Sequence, residues 1–265
     1  MSTDKGEARS FPFLTVSHLE AAGLVRHAFT TRHGGLGART GGARSPDDWD
    51  AVAKAFGIGH DRLITVNQVH GDDVLLVSKA NCLDVLQARA DGLVTGERGI
   101  AVGVETADCV PVLLFDPAAP AVAAVHAGWR STVKKIVQKA VRTLQHHFGS
   151  DPAQMIAAIG PAIGPECYEV DEPVMGPVRQ AFAFWKEVSL SRGNGRWSLD
   201  LAKLNRLELA QAGLRDRNIH ALGMCTSCRR DLFYSFRAEG RTGRMLSVIM
   251  LNPYDVITTD EHGKD

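Results

Sequence analysis

The apolar segment AVAAV at residues 121–125, followed directly by His126, constrains the fold more than any other part of the sequence. A run in which nearly every residue is apolar is typical of a β-strand buried on both faces. After Gly128, apolar residues recur with helical spacing up to Phe148, and Gly149 supplies a C-terminal stop. The pattern therefore predicts a buried strand, a histidine at its end and then a long amphipathic helix.

Other segments predict further strands and helices. The sequence GIAVGVETADCVPVLLFD predicts two apolar strands broken at residues 106–109, and LITVNQVHGDDVLLVS predicts two β-rich runs joined by a turn at residues 71–73. Strands are also predicted at QMIAAIG, NIHALGM, LFYSFR and RMLSVIML, and helices near residues 173–185 and 200–212. We expect an α/β or α+β fold with a mixed sheet, in one domain over residues 11–258.

Composition excludes several classes of protein. The 265 residues are 45% hydrophobic and carry 30 basic and 30 acidic side chains, so no overall field attracts nucleic acid or an anionic membrane. The polar first ten residues lack the apolar core of a signal peptide and are expected to be disordered, and no apolar run is long enough to span a membrane. Five cysteines in a chain of this size do not indicate a disulfide framework. We therefore expect a cytoplasmic protein without nucleic-acid or membrane partners; the sequence leaves its oligomeric state open.

Three residues that can bind a metal ion lie where predicted strands break: His70 in NQVHG, Cys109 in TADCVP and His126 in AVHAGWR. One thiolate and two imidazoles suit zinc and leave a fourth tetrahedral position open, as in catalytic zinc sites. Each residue alone is more typical of an ordinary core side chain, and their spacing in the sequence does not bring them together.

Five segments together resemble one bacterial family. They are NQVHG, ADCVPVLLFD, AVHAGWRS, IGPAIGPECYEVD and CTSCRRDLFYSFRAEGRTGR, in this order. The family is that of the laccase-domain or multicopper polyphenol oxidase proteins, also called peptidoglycan editing factor and purine nucleoside phosphorylase. The resemblance implies a layered α/β/β/α architecture with mixed sheets, related to cysteine-hydrolase-like toxins. It also implies that His70, Cys109 and His126 bind zinc, so that His126 ends its strand because it completes a three-ligand site.

Other residues are candidates for substrate contacts. Asp108 is expected to accept a proton or to orient a ligand, and Arg32 and Arg130 are candidates for phosphate binding, since guanidinium groups and helix N-termini both suit that anion. Cys225 and Cys228 form a C-x-x-C pair without a second pair, which is weak evidence for a metal site. The family's opening TTR-x-GG is present at residue 30, but LGARTGGARSPDDWD replaces the usual segment after it, so the role of the Gly/Arg-rich loop 33–48 stays open.

Three functions follow from the resemblance. The first is a zinc-dependent purine nucleoside phosphorylase, which cleaves adenosine, inosine, guanosine or methylthioadenosine with phosphate, together with an adenosine deaminase activity. The usual zinc-deaminase signature, H-x-E with P-C-x-x-C, is absent from the sequence. The second is a copper polyphenol oxidase, which the absence of any H-x-H pattern disfavours. The third is an editing factor for peptidoglycan precursors, and phosphate-dependent release of hypoxanthine from inosine separates the first function from the other two.

Overall fold

The structure is a computed structural model that describes residues 13–20, 23–33 and 46–253. The strands in these residues are β1 (Phe13–Leu14), β2 (Val25–Thr30), β3 (Leu63–Ile64), β4 (Val74–Leu76), β5 (Gly92–Thr95), β6 (Ala101–Thr106), β7 (Val110–Asp116), β8 (Ala121–Ala127), β9 (Ile156–Ile159), β10 (Glu169–Val170), β11 (Ser189–Gly193), β12 (Arg196–Leu199), β13 (Ile219–Ala221) and β14 (Met245–Leu251). The α-helices are α1 (Ser17–Glu20), α2 (Pro46–Phe56), α3 (Cys82–Val85), α4 (Trp129–Val133), α5 (Ile136–Phe148), α6 (Glu172–Ala181), α7 (Leu201–Gln211) and α8 (Phe236–Glu239).

Two large mixed sheets form the centre of the described chain. One has five strands in the order β1-β2-β14-β6-β3, in which only β6 and β3 pair in parallel. The other has six strands in the order β13-β9-β7-β8-β5-β4, with parallel pairs at both edges. A small antiparallel sheet, β10-β12-β11, is not hydrogen-bonded to either, and its Val170 and Leu199 pack in the apolar cluster of the six-stranded sheet.

The apolar side chains divide into layers that follow these sheets. Between the two large sheets, Phe29, Val102 and Ile249 of one pack with Leu113 and other residues of the second. Helices α5, α6 and α7 cover the outer face of the six-stranded sheet, and α2 covers the outer face of the five-stranded sheet. The order helix, sheet, sheet, helix is the expected α/β/β/α architecture, and it explains why every residue of β8 is buried.

The helix after His126 is broken, which differs from the single long helix expected. Lys135 has a φ of 63° between α4 and α5, a left-handed conformation that ends one helix and starts the next. The side chain of Lys135 approaches the buried Glu208 of α7 at 3.8 Å, so a tertiary contact accompanies the break. Lysine is a good helix former, and the sequence therefore carries no local sign of the break.

Two predicted β segments also differ from the structure. The runs on either side of residues 71–73 do not pair with each other, because β3 belongs to the five-stranded sheet and β4 to the six-stranded one. The prediction of a strand at LFYSFR is wrong: residues 233–235 are irregular, and Ser235 caps α8 by accepting a hydrogen bond from the amide of Ala238. The strands predicted on either side of residues 106–109, at QMIAAIG and at RMLSVIML are confirmed as β6, β7, β9 and β14.

The termini proposed for the domain lie outside the described residues, so the disorder of residues 1–10 and the boundary at residue 258 stay predictions. The same holds for most of the Gly/Arg-rich loop 33–48. Within the described chain, no helix has the length and apolar character that crossing a membrane requires.

Candidate active site

His70, Cys109 and His126 come together at the ends of β7 and β8, two central strands of the six-stranded sheet. Their ligand atoms lie within 4.8 Å of one another; Cys109 Sγ is 4.0 Å from His70 Nε2, and the two imidazole rings are 4.8 Å apart and nearly perpendicular. Cys109 immediately precedes β7 and His126 lies near the end of β8, and because β7 and β8 are antiparallel these positions are adjacent. His70 lies on the segment that crosses from β3 to β4, with a φ of 57°.

Asp91, which directly precedes β5, holds the two histidines in place. Its buried carboxylate accepts hydrogen bonds from the backbone amides of Val69 (3.2 Å), His70 (2.9 Å) and Gly71 (2.6 Å). The same carboxylate lies 2.7 Å from Nδ1 of His126, which leaves Nε2 of that ring free for a ligand bond. A carboxylate behind a histidine in this way fixes the ring orientation and is the usual second layer of a metal site.

The site favours a thiolate beside a positive charge. Burial alone would raise the pKa of Cys109, but the charge and hydrogen bonding of His126 and His70 outweigh it and lower this pKa to about 6. Burial alone would lower the pKa of His126, but Cys109 and Asp91 raise it to about 9. These negative groups stabilise a positive charge placed between the sulfur and the imidazole, and a thiolate is the form of cysteine that binds metals.

Gly128 shows that the space among the three side chains must stay open. A Cβ atom at this position would lie 3.1 Å from both Cys109 Sγ and His70 Cδ2. The φ of Gly128 is −67°, which any residue adopts, so the requirement for glycine here is spatial. Three convergent soft and borderline ligand atoms around a space kept free of side chain fit a tetrahedral metal ion with one open position.

The three residues line a cavity of about 610 Å³ at this end of the two sheets. Trp129 and Tyr168 contribute aromatic surface, and a guanidinium lies over each ring: Arg130 at 4.4 Å from the Trp129 ring and Arg237 at 5.2 Å from the Tyr168 ring. The remaining described lining residues are Val66, Asn67, Gln68, Glu105, Thr106, Ala107, Asp108, Ile163, Leu201, Phe236 and Arg244. The cavity thus combines aromatic faces, three arginines and the candidate metal ligands.

The arginines predicted to bind phosphate occupy different places. Arg130 lines the cavity, whereas Arg32 is not among the described residues that line it. The guanidinium of Arg32 instead binds the carbonyl oxygen of Arg230 and, at 3.1 Å, the carboxylate of Glu239, and it stacks over Tyr234. Arg32 therefore contacts α8 through Glu239 and the segment before α8 through Arg230 and Tyr234.

Asp108 lines the cavity with both carboxylate oxygens engaged. One accepts a hydrogen bond of 2.6 Å from the Thr226 hydroxyl, and the other accepts one of 2.6 Å from the backbone amide of Arg237. Its φ of 97° is rare for a residue with a side chain. A strained backbone of this kind persists only where the surrounding structure holds it. Here the hydrogen bonds from Thr226 and Arg237 hold Asp108, the residue directly before Cys109, in its conformation.

Sequence reasoning missed Asp91, Arg237 and Arg244. The sequence marks Asp91 only as an aspartate directly before the apolar run GLVT. Many aspartates in turns precede a strand in this way, so the position alone does not indicate a functional residue. Arg237 and Arg244 stand in the closing segment that carries the family resemblance, but nothing in the sequence shows that this segment returns to the strand ends. The register of β14 against β6 brings it there, with Met245 opposite Thr106.

Comparison with known proteins gives consistent matches over nearly the whole described chain. The model of the family described as multi-copper polyphenol oxidoreductase laccase matches residues 26–252. A purine nucleoside phosphorylase of Deinococcus radiodurans is 39% identical over 256 residues, which cover 92% of this chain and 94% of the relative. A protein named adenosine deaminase RL5, from an unknown prokaryotic organism, is 33% identical over 206 residues, covering 75% and 78%. The crystal structure of the Bacillus licheniformis protein YfiH superposes with a TM-score of 0.83 at 30% identity, covering 93% of this chain and 98% of that one.

Proposed function

We propose a function from one established premise: the chain belongs to the family described as multi-copper polyphenol oxidoreductase laccase. The protein is proposed to be a purine nucleoside phosphorylase, which cleaves adenosine, inosine, guanosine or methylthioadenosine with phosphate to the free base and pentose 1-phosphate. The observation that carries the proposal is the cavity in which aromatic faces and three arginines surround the cluster of His70, Cys109 and His126. The name of the Deinococcus radiodurans relative supports the same activity.

The proposed metal is zinc, held by His70, Cys109 and His126. Two imidazoles, one thiolate and an open fourth position suit Zn²⁺, and copper is the less favoured alternative. When bound, the ion supplies Lewis-acid chemistry at the cavity wall. Asp91 contributes indirectly, since it keeps the His126 ring oriented and the backbone at His70 fixed.

Arg130 is the proposed phosphate-binding residue. It is exposed in the cavity wall beside the candidate metal ligands, and among the described residues it makes no ion pair, so its donors are available to an anion. Arg237 and Arg244 face the same cavity and add positive charge. In phosphorolysis a phosphate oxygen forms a bond to C1′ of the sugar as the C1′–N9 bond breaks and its electron pair leaves with the purine. A guanidinium that holds the phosphate in line lowers the entropic part of that barrier.

The aromatic side chains are proposed to hold the purine. Trp129 and Tyr168 line the cavity, and burial raises the pKa of the Tyr168 hydroxyl, which therefore stays protonated and can donate a hydrogen bond. Phe236 is 58% exposed at the cavity and can stack on a ligand without further rearrangement of the core. Flat aromatic surface suits every purine, in keeping with several nucleosides as substrates.

The test is to incubate the purified protein with inosine, with and without phosphate. We expect hypoxanthine and ribose 1-phosphate in equal amounts, and only when phosphate is present. Arg130→Ala should raise the KM for phosphate about 10-fold or more and leave metal content unchanged, because a charge-assisted hydrogen bond is lost. Arg192→Ala is the matched control, since Arg192 pairs with Glu166 outside the cavity lining. Release of the base without phosphate would overturn the proposal. Oxidation of phenols with no turnover of nucleosides would also overturn it.

Adenosine deamination is a second proposed activity, supported by the name of the adenosine deaminase RL5 relative. For Asp108 we propose the orienting role, because both of its oxygens already accept hydrogen bonds from Thr226 and Arg237. Formation of inosine from adenosine without phosphate measures this activity. Asp108→Asn should lower kcat for both reactions together while the pH profile keeps its shape; loss of the acidic limb for deamination alone would instead assign Asp108 as the proton acceptor.

A further inference from the structure

A second cluster of metal-capable side chains lies outside the site just described. The sulfur atoms of Cys167, Cys225 and Cys228 are within 4.8 Å of one another, and Cys167 Sγ is 3.4 Å from Cys228 Sγ. Cys167 belongs to the loop between β9 and β10, whereas Cys225 and Cys228 share one turn after β13. None of the three is among the described residues that line the cavity.

The backbone around Cys225 is arranged to stabilise a thiolate. The amide of Gly164 donates a hydrogen bond of 3.1 Å to Cys225 Sγ. A Cβ atom at residue 164 would lie 3.2 Å from Cys225 Cβ, so glycine allows the loop to approach this closely. Amides that point at the sulfur of the first cysteine of a C-x-x-C turn favour its ionised, metal-binding form.

The distances among the sulfurs fit shared coordination. A disulfide needs sulfurs about 2.05 Å apart, which is far shorter than the 3.4 Å found between Cys167 and Cys228. Two thiolates on one tetrahedral zinc, each about 2.3 Å from the ion, lie roughly 3.8 Å apart. Small side-chain rotations therefore bring all three sulfurs to one ion, and Cys228 is exposed, which leaves a path for the ion to enter.

We propose that Cys167, Cys225 and Cys228 form a second metal site, which binds Zn²⁺ through three thiolates and takes a water molecule as its fourth ligand. Binding releases the thiol protons to solvent and involves no change of oxidation state. The site is distinct from the one at His70, Cys109 and His126, and it does not depend on the proposed nucleoside activity.

The contacts of these cysteines suggest that the ion has a structural role. It would join the loop that carries Tyr168 to the turn that carries Thr226, whose amide binds the carbonyl of Ala162 at 3.0 Å and whose hydroxyl binds Asp108 at 2.6 Å. The loop lines the cavity through Ile163 and Tyr168, and the turn contacts the lining residue Asp108 through Thr226. A bound ion would thus stiffen the cavity wall from outside.

The test is the zinc content of reduced protein after equilibration with excess Zn²⁺ and gel filtration. We expect about two zinc ions per chain in the wild type and about one in Cys228→Ser and in Cys167→Ser, because each substitution leaves only two thiolates. Cys82→Ser is the matched control, since Cys82 lies outside both clusters, and it should keep about two. His126→Ala should lose the other ion, so the two sites are counted separately.

Cobalt provides a second readout that does not depend on activity. Thiolate-to-metal charge-transfer absorption of Co²⁺-loaded protein should be dominated by the second site, because it offers three sulfurs and the first site offers one. Cys228→Ser should remove most of this absorption and Cys82→Ser none. The proposal is overturned if Cys228→Ser binds as much zinc as the wild type. It is also overturned if reduced wild-type protein binds a single ion that His126→Ala loses, or if Cys167 and Cys228 form a disulfide and no second ion is bound.

Discussion

Asp91 shows how much of the candidate site depends on a residue that is not itself a candidate ligand. Its buried carboxylate accepts hydrogen bonds from three backbone amides around His70 and contacts Nδ1 of His126. It thereby connects the segment that carries His70 to β8. The candidate ligands could be predicted because the family resemblance names their motifs. The residue that positions them could not, because its role follows from the pairing of β5 with β8, which places Gly92 opposite Val125.

Asp91→Asn should weaken zinc binding at the first site by about 10- to 100-fold, since an amide has one acceptor oxygen where the carboxylate has two. The affinity is measured by competition with a chromophoric chelator. Asp116→Asn is the control: Asp116 is also fully buried and also accepts backbone amides, but it stands at the opposite end of β7. Unchanged affinity in Asp91→Asn would contradict the positioning role.

His27 should make the protein less stable in acid. Its Nε2 accepts a hydrogen bond of 2.8 Å from the amide of Val16, and burial lowers its pKa from 6.5 to about 4, partly offset by Glu20. Between these values the unfolded state binds the extra proton and the folded state does not, so the free energy of unfolding falls as pH drops from 6.5 to about 4. The loss from this residue is about 3 kcal/mol.

The measurement for His27 is urea unfolding across that pH range. His27→Gln keeps an acceptor for Val16 but cannot titrate, so the difference in unfolding free energy between wild type and variant should shrink below pH 6.5. Parallel pH profiles of the two proteins would show that His27 does not carry this effect.

Among the secondary-structure elements, the sequence best predicts the strands and helices whose apolar residues are simply buried in the core. β6, β7, β8, β9 and β14 are predominantly apolar and were predictable. The hairpin of β11 and β12 was missed although its sign is present: Asn194 and Gly195 both have positive φ and form the two-residue turn between Gly193 and Arg196. The break at Lys135 has no such sign, because a contact with another helix accompanies it.

Gly149 ends α5 as the sequence predicts, with a φ of 69° and its amide bonded to the carbonyl of Gln145. Gly149→Ala should lower the free energy of unfolding by about 1 kcal/mol, because an alanine in the left-handed region is strained. No atom lies within 4 Å of the added Cβ, so backbone strain is the whole effect. Gly149→Asn should lose less, since asparagine tolerates this conformation better; equal losses for the two variants in urea unfolding would contradict the explanation.

At the scale of the molecule, the packing between the layers is separate from the candidate site. Phe115 and Leu113, like most apolar residues between the sheets, are buried away from the strand ends where the candidate ligands meet; Val66 is an exception that also lines the cavity. The layered fold could be expected from the family resemblance and from strands buried on both faces. Which strand lies in which sheet could not, because the pairing of β3 and β4 with different sheets depends on contacts distant in the sequence.

His126→Ala should therefore leave a folded protein. We expect little zinc at the first site and almost no turnover of inosine or adenosine, with a loss of unfolding free energy of about 1–3 kcal/mol against a total of roughly 5–15 kcal/mol. Thermal melting by circular dichroism and nucleoside turnover are measured on one preparation, with the exposed His146→Ala as control. An unfolded variant would indicate a structural metal, and full activity without zinc would refute the metal mechanism.

The position of β14 bears on the order in which the chain becomes able to fold during its synthesis. All strands of the six-stranded sheet have been made once the ribosome has passed Ala221, whereas the five-stranded sheet lacks a strand between β2 and β6 until Leu251 has been added. Until then β2 and β6 each present an unpaired edge, the kind of edge that recruits other chains. A nascent chain that has emerged from the ribosome as far as Ala221 but not as far as Leu251 would carry one finished sheet and one open one, and in that interval we expect it to need a chaperone.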